Sequence, residues 1–446
     1  MANPFFDVSI HRRILTLAIP MVISNITVPL LGLVDTAVIG HLDHAWFLGG
    51  VALGSTVISL SFWLLGFLRM STTGLAAQAL GQNHKAQVAM VFVQGVICAL
   101  GLSVLMLLCQ SWLIDSVLSM SQASEQVQRY AREYFFVRVW SAPAALMNFV
   151  ILGWLLGNQN SRLPMVLVIV SNVVNIALDM LFVLGFEWQV KGVAAASVLA
   201  DYLAMLLGLS FVYRQWVRQQ LPALSNLWRT SLQGMGRLLA LNRDIFIRSL
   251  CLQCTLFFIT FQGANYGDDV VAANAILMSF VMVISYAMDG IAYALEALVG
   301  HSMGAKDRTQ LKLDILGAIF WGALVCALLS SGFYLAKPWL IAAMSSIETV
   351  QAQAALYWPW LVAMPMVSVW CYLFDGIFVG ATKAKSMRNS MILATVSFVL
   401  VFFATQTWQN HSLWLAFSVF MLCRGLSLGY VLWSQWRRGV FLLRES

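Results

Sequence analysis

The chain has 446 residues, of which 60% are hydrophobic and 10% are charged, whereas soluble domains carry roughly 25% charged residues. This composition excludes a soluble globular protein. The net charge of +7 is accounted for by the loops between apolar runs, so it gives no support for a nucleic-acid partner. The seven cysteines all lie inside apolar runs, which favours packing roles over disulfides or a metal site.

The apolar runs are each about 20 residues or longer, enough to cross a hydrocarbon core of ~30 Å. The period-two alternation of an outer-membrane barrel is absent. We therefore predict an all-α polytopic membrane protein with twelve transmembrane helices. The predicted helices occupy residues 14–40, 46–68, 88–113, 133–156, 163–184, 190–213, 238–266, 270–298, 311–335, 355–380, 389–408 and 412–436.

The first run combines its apolar residues with Pro20, Asn25, Pro29 and Asp35. A carboxylate at the bilayer centre costs at least ~2.5 kcal/mol, so we expect Asp35 to face the protein interior or a watery cavity. Each proline removes a backbone hydrogen bond and lets a helix bend. The run is too long for a signal peptide and lacks a small-residue cleavage site, so we expect an uncleaved helix. These features predict a moving helix with one titratable group.

Basic residues lie before the first run and after every even-numbered one, while the odd-numbered loops hold few. By the positive-inside rule this distribution predicts that both termini are cytoplasmic. Odd-numbered helices then run from inside to outside.

The two halves of the chain share glycines at one offset of about half the chain, which indicates an internal repeat. We predict two pseudosymmetric six-helix lobes, residues 1–215 and 238–446, joined by a basic cytoplasmic linker, residues 216–237. Because six is even, both lobes start on the same side of the membrane, and a central cleft between them is the usual arrangement of a secondary transporter. A cleft within one chain needs no second subunit, so we expect a monomer. The glycine pairs are Gly81 and Gly304, Gly153 and Gly376, and Gly157 and Gly380.

Polar residues of the N-terminal lobe converge at one predicted depth. Asp35 and Asp179 each lie five residues before the outer end of a helix, so each should sit ~7 to 8 Å below it. Asn175 shares the face of Asp179, Ser197 should reach nearly the same level, and Asp201 should lie one turn deeper. Two acids in low dielectric cannot easily both be ionised, so this pocket is suited to exchange protons. Structural interhelical hydrogen bonds remain the alternative for Asn175, Asp179 and Ser197.

The acids of the C-terminal lobe are predicted in its cytoplasmic third. We expect them to form a gate or a structural network of ion pairs with arginines on neighbouring helices. The acids are Asp289, Glu296 and Asp375, and the arginines are Arg69, Arg248 and Arg424.

Several tracts resemble the multidrug and toxic compound extrusion (MATE) family in its DinF-like branch. They include PMVISNITVPLLGLVDTAVIGHL, TTGLAAQALGQ, SAPAALMNFVILGWLLGNQNSRLPM, SNVVNIALDMLFVLG, GVAAASVLADY and DGIFVGATKAKSMRNSM, and they span nearly the whole chain in order. The resemblance implies two six-helix bundles around a V-shaped cleft, and export driven by the entry of protons or sodium.

The resemblance also implies roles for individual residues. The essential cation site of the family falls on Asp35, with Asn175 and Asp179 from the N-x-x-x-D pattern of helix five. The bend of helix one falls on Pro20. The remaining cavity positions fall on Tyr134 and on Ser197, where threonine is more typical.

A sodium site known from the related NorM branch matches only in part. Asp375 corresponds to one of its acids. That branch also has an acid in helix seven, and we expect none in helix seven of this chain. The comparison therefore favours protons over sodium as the coupling ion and leaves Asp201 and Asp375 as secondary candidates.

These observations together predict a proton-coupled multidrug antiporter in the cytoplasmic (inner) membrane of a bacterium. It would export amphipathic, often cationic compounds by alternating access, with neither enzymatic activity nor a cofactor. The alternatives are a sodium-coupled drug antiporter and a lipid-linked oligosaccharide flippase, although the latter calls for cavity arginines where this lobe is acidic. An intramembrane aspartyl protease lacks its G-x-G-D signature around Asp35 and Asp179. A channel lacks a pore-lining ring.

Overall fold

The structure is a computed structural model that describes residues 8–40, 44–121, 123–224, 227 and 232–442, without the side chains of residues 30, 33, 35–40 and 45. Within these ranges every regular element is helical, which confirms the predicted all-α class. Eleven helices or joined helices of the described part are long and apolar enough to cross a membrane. Helix α1, which contains the first predicted run, spans Val8–Gly40.

The remaining helices follow in chain order. In the first half they are α2 (Ala45–Leu65), α3 (Phe67–Gly81), α4 (Lys85–Leu108), α5 (Gln110–Leu118), α6 (Glu125–Arg138), α7 (Ala142–Gly157), α8 (Arg162–Asp179) and α9 (Gln189–Gln219). In the second half they are α10 (Met235–Ala264), α11 (Asp268–Gly304), α12 (Arg308–Leu335), α13 (Lys337–Met344), α14 (Glu348–Gly380), α15 (Ala384–Ala404) and α16 (Asn410–Arg437).

The second predicted helix is longer than its apolar run. The structure interrupts it at Gly66 and continues it as α3 to Gly81, so the predicted end at residue 68 is wrong. The helix α3 buries Ser71, Thr72 and Thr73, because it packs against other helices instead of lipid. Small polar residues suit such contacts but lower the hydropathy by which a span is detected.

The internal repeat is visible in close backbone contacts. A Cβ atom added to Gly153 would lie 2.5 Å from the carbonyl oxygen of Arg69, and one added to Gly376 would lie 2.6 Å from that of Ala292. Gly157 approaches Thr73 and Gly380 approaches Glu296 in the same way. In each of these contacts, the residues from the second half lie 223 positions after the corresponding residues of the first half. Glycine is required at all four positions because any side chain would meet a backbone atom.

Turn geometry follows the same offset. Asn83 and Lys306 both have a left-handed backbone conformation, with φ of 54° and 56°. Gln159 and Thr382, again 223 positions apart, have φ of 62° and 55°. These matching turns support the predicted pseudosymmetry of the two halves.

The structure divides into two compact units. One contains residues from Ile23 to Leu238, and the other contains the residues up to Val22 together with those from Leu239 onward. The division falls inside α1, two residues after Pro20. The boundaries of the lobes and linker given above stay a prediction.

The first half of α1 packs within the unit that contains the second half of the chain. Arg13 Nη1 lies 3.7 Å from Asp314 Oδ1 of α12, and a Cβ atom added to Gly290 of α11 would lie 3.1 Å from the backbone nitrogen of Val22. The absence of a side chain at Gly290 thus allows α1 to lie directly against α11.

Candidate functional site

The helices α8 and α9 bring three of the predicted site residues together. Asn175 Nδ2 donates a hydrogen bond of 3.2 Å to Ser197 Oγ, and both side chains are buried. Asp179, one turn after Asn175 on the same face of α8, is 0% exposed. The structure therefore brings Asn175 and Ser197 into contact, whereas the common level of Asp35, Asp179 and Ser197 stays a prediction.

A π-helical segment, Met180–Gly185, follows Asp179 directly. Segments of this kind are rare and occur frequently at functional sites, where they shift the register of the residues beyond them. Val183 of this segment belongs to the same buried cluster as Tyr134 of α6 and Val190 and Val193 of α9. The cluster connects Tyr134 to the helices that carry Asp179 and Ser197.

Tyr134 lies in tight contact with α2. A Cβ atom added to Gly54 would lie 2.9 Å from Cδ1 of Tyr134, and the ring of Phe47 is 4.7 Å from that of Tyr130, one turn before Tyr134. Tyr134 is buried in an aromatic and aliphatic wall beside the polar residues.

The side chain of Asp35 lies outside the described residues, although its backbone belongs to α1. A contact elsewhere on the same helix joins α1 to α8. Asn172 Nδ2 donates a hydrogen bond of 2.8 Å to Thr27 Oγ1, which in turn donates to the carbonyl oxygen of Ser24 at 2.7 Å. Sequence reasoning missed Asn172, although its position three residues before Asn175 would have been a signal.

Asp201 forms an ion pair that was not predicted. Its Oδ2 lies 2.8 Å from Arg138 Nη1, and Arg138 also donates a hydrogen bond to Ser141. The backbone oxygen of Asp201 accepts a hydrogen bond of 3.0 Å from Asn148. Both charged side chains are largely buried, so this pair links α6 to α9 inside the protein.

Asp375 accepts hydrogen bonds from two arginines at one oxygen atom. Arg424 Nη2 lies 2.6 Å from Asp375 Oδ2, and Arg248 binds the same atom. The predicted pairing of Asp375 with Arg248 or Arg424 is confirmed. The three side chains connect α10, α14 and α16. Because two guanidinium groups surround one carboxylate, the group repels a further cation.

The expectation of no acid in helix seven is wrong. Asp244 lies in α10 and is buried, with Oδ1 2.8 Å from Arg388 Nη1 and 3.1 Å from Arg243 Nη2. Asp244 lies in the polar first turns of this helix, ahead of its long apolar stretch. Like Asp375, Asp244 therefore forms ion pairs with two arginines.

These features define a polytopic helical membrane protein with a buried polar site in its N-terminal half. The MatE family profile matches the chain twice, over residues 20–181 and 245–405, in agreement with the internal repeat. The chain therefore belongs to the MatE family, whose members are transporters, not enzymes, and need no cofactor.

Three comparisons agree with this assignment. The chain is 46% identical over 439 residues to the DNA damage-inducible protein F of Escherichia coli, covering 98% of this chain and 95% of the relative. It is 24% identical over 409 residues to a probable multidrug resistance protein NorM of Halalkalibacterium halodurans, covering 87% and 85%. A crystal structure of a mutant MATE transporter of Vibrio cholerae matches its fold with a TM-score of 0.86 at 20% identity, covering 98% and 99%. The family and its named members support efflux transport.

Proposed function

We propose that the chain is a proton-coupled multidrug antiporter that exports amphipathic, often cationic compounds by alternating access. The observation that carries this proposal is the fully buried Asp179 beside the hydrogen-bonded pair Asn175 and Ser197. A carboxylate away from water needs a partner charge, hydrogen bonds or a proton. A site of this kind changes its interactions when a proton binds or leaves.

The contact between Thr27 and Asn172 supports a common site for both acids. Asp35 follows Thr27 by eight residues, and Asp179 follows Asn172 by seven. The topology predicted from the charges has α1 and α8 parallel. Each acid therefore lies ~10 to 12 Å along its helix from the hydrogen bond between Thr27 and Asn172, in the same direction. The coupling proton would therefore bind at the level of Asp35 in α1 and Asp179 in α8.

In the proposed cycle, α1 is straight while both acids are deprotonated, and the cavity can then hold a substrate. Protonation from outside rearranges the hydrogen bonds of Asp35 and Asp179, α1 bends near Pro20, and the substrate is released outward. The coupling can be no larger than the difference in proton affinity between the two conformations. The division of α1 just after Pro20 supports a bend at this point, since the two segments of the helix pack within different units.

The arginines paired with Asp375 favour protons over sodium as the coupling ion. A sodium ion needs oxygen ligands that are not already neutralised, and the Asp375 oxygen that accepts from Arg424 also accepts from Arg248. The charge distribution supports a topology with both termini in the cytoplasm. We further propose that the chain acts as a monomer in the inner membrane of a bacterium.

The decisive experiment measures substrate efflux from proteoliposomes under an imposed pH gradient and, separately, an imposed sodium gradient. Wild type, Asp35→Asn and Asp179→Asn are compared, with Asp269→Asn as a control at an exposed acid. We expect efflux to follow the pH gradient alone and to be lost in the first two variants only. Efflux driven by sodium would instead support the sodium-coupled alternative, and normal efflux by Asp35→Asn would refute the proposed proton site.

A further inference from the structure

A groove of about 650 Å³ runs along the surface between α15 and α16. It belongs entirely to the second half of the chain and is separate from the polar site on α8 and α9. Its main lining residues are Ser386, Asn389, Leu393 and Ser397 of α15, and Leu426 and Tyr430 of α16. These residues define what we call the α15–α16 groove.

The length of the groove matches one leaflet of a bilayer. From Ser386 to Ser397 the helix advances eleven residues, or ~16 Å, about half of a ~30 Å hydrocarbon core. The start of α15 and the end of α16 lie together at the mouth of the groove, where Ser386 and Tyr430 stand. The charge pattern predicts that this end faces the cytoplasm.

The walls of the groove are apolar and open, and its floor is made of small side chains. Leu393 and Leu426 are 52% and 64% exposed, as is expected of residues that contact lipid in a membrane-spanning helix. On the floor, Ser390 Oγ and Ser427 Oγ lie 2.6 Å apart, and Ser427 also donates to the carbonyl oxygen of Cys423 at 2.7 Å. The small residues leave room for an extended hydrocarbon chain, and their polar groups are hydrogen-bonded within the protein.

Basic residues lie near the mouth of the groove. From Lys383 to Leu442 the sequence contains six Lys and Arg residues and no Asp or Glu, and two of the six, Arg388 and Arg424, are paired with Asp244 and Asp375. Arg437 lies over the ring of Trp433, 4.5 Å from its centroid, and is exposed together with Arg438. Basic residues beside the cytoplasmic end of a span attract anionic lipids, and aromatic residues anchor this level of the membrane.

We infer that the α15–α16 groove binds an anionic glycerophospholipid. The phosphate of its headgroup lies at the mouth, near Ser386 and Tyr430, where Arg437 and Arg438 attract it. One acyl chain follows the groove between the leucines as far as Ser397. The small floor and apolar walls receive the chain, and the positive mouth selects the anionic headgroup. This site is independent of the proposed coupling mechanism.

The test titrates the purified full-length protein in detergent with phosphatidylglycerol or phosphatidylcholine and counts bound lipids by native mass spectrometry. We expect wild type to bind phosphatidylglycerol roughly 25-fold more tightly, since Arg437 and Arg438 should each contribute about fivefold. The double variant Arg437→Gln/Arg438→Gln should lose that preference, whereas Lys306→Gln/Lys312→Gln, at exposed cations in the turn before α12 and near the start of α12, should keep it. Ser397→Phe should fill the groove and weaken both lipids.

Several outcomes would overturn the inference. Equal binding of the two lipids by wild type would exclude selection of an anionic headgroup. Displacement of the lipid by glycerol phosphate or inorganic phosphate at equal concentration would identify a small-anion site without a role for the acyl chain. Unchanged lipid binding by a folded Ser397→Phe would exclude the groove. If that variant fails to fold, the comparison of the two surface double variants decides the question.

Discussion

Asn172 of α8 and Thr27 of α1 are joined by a hydrogen bond of 2.8 Å, and this bond ties the proposed moving helix to the helix that carries Asp179. Thr27 contributes the acceptor oxygen and Asn172 the donor. Because the bond lies within one unit, the second segment of α1 is attached to α8, while the first segment is attached elsewhere through Arg13 and Asp314.

The first prediction concerns this bond. Thr27→Val and Asn172→Leu should each change the turnover of efflux several-fold, because a bend in α1 alters the attachment of the helix to α8. The double variant should show no more than the larger single effect, with a coupling free energy of roughly 0.6 kcal/mol and at most about 1.7 kcal/mol. Turnover in proteoliposomes at saturating substrate gives all four values.

A matched control is Thr56→Val in α2, whose hydroxyl donates a hydrogen bond to the carbonyl oxygen of Ala52 in its own helix. It should leave turnover within twofold of wild type. Fully additive effects of Thr27→Val and Asn172→Leu would contradict a functional link through this hydrogen bond.

The second prediction concerns the ion pair between Arg138 and Asp201. Arg138→Gln leaves a largely buried carboxylate without its partner charge, so we expect a loss of stability of about 2 kcal/mol, below the 3–5 kcal/mol of fully buried pairs. Thermal melting in detergent checks this loss. Glu133→Gln breaks the looser, more exposed pair with Lys191, at 3.7 Å, and should change stability by less than about 1 kcal/mol.

Exchanging the two charges distinguishes a structural role from proton binding. The double variant Arg138→Asp/Asp201→Arg should recover part of the lost stability if the pair only connects α6 and α9. If Asp201→Asn abolishes the response to a pH gradient while melting as wild type, Asp201 takes part in coupling and the structural interpretation fails.

The sequence predicted the helices and the repeat better than the contacts between helices. Hydropathy measures exposure to lipid, so it found the spans but missed the continuation into α3, where Thr72 and Thr73 are buried against protein. The glycines Gly153 and Gly376 were identifiable because a repeat preserves spacing. The bond between Arg138 and Asp201 joins residues 63 positions apart, and only the packing of helices shows that they meet.

The third prediction concerns Asp375. Asp375→Asn leaves Arg248 and Arg424 facing each other without the carboxylate, so we expect a loss of about 3–5 kcal/mol, seen as a lower melting temperature. Arg248→Gln should cost less, because Arg424 still neutralises Asp375. Asp269→Asn, at an exposed acid in the first turn of α11 that accepts a hydrogen bond from Thr349, should shift stability by no more than about 1 kcal/mol.

The same melting assay tests for sodium at Asp375. A bound ion raises the stability of the folded state in proportion to the logarithm of its concentration. We expect equal melting temperatures in sodium and potassium chloride at one ionic strength. A higher melting temperature in sodium that disappears in Asp375→Asn would show that the arginines do not exclude the ion.

The fourth prediction uses the two prolines of α1. Pro20 lies beside the point where the helix passes from one unit to the other, whereas Pro29 lies wholly within the unit that contains Asn172. Replacing either proline with alanine restores the missing backbone donor and stiffens the helix. Only at Pro20 does that stiffness oppose the proposed bend, so Pro20→Ala should slow turnover about tenfold with substrate affinity within twofold of wild type.

Pro29→Ala provides the matched comparison, since it makes the same chemical change nine residues further along the same helix. Its turnover should stay close to that of wild type. Substrate affinity is measured by equilibrium binding and turnover by efflux under a pH gradient, so the two effects are separated. If Pro20→Ala and Pro29→Ala have equal turnover, the helix does not bend at Pro20. The movement would then have to occur elsewhere in the protein.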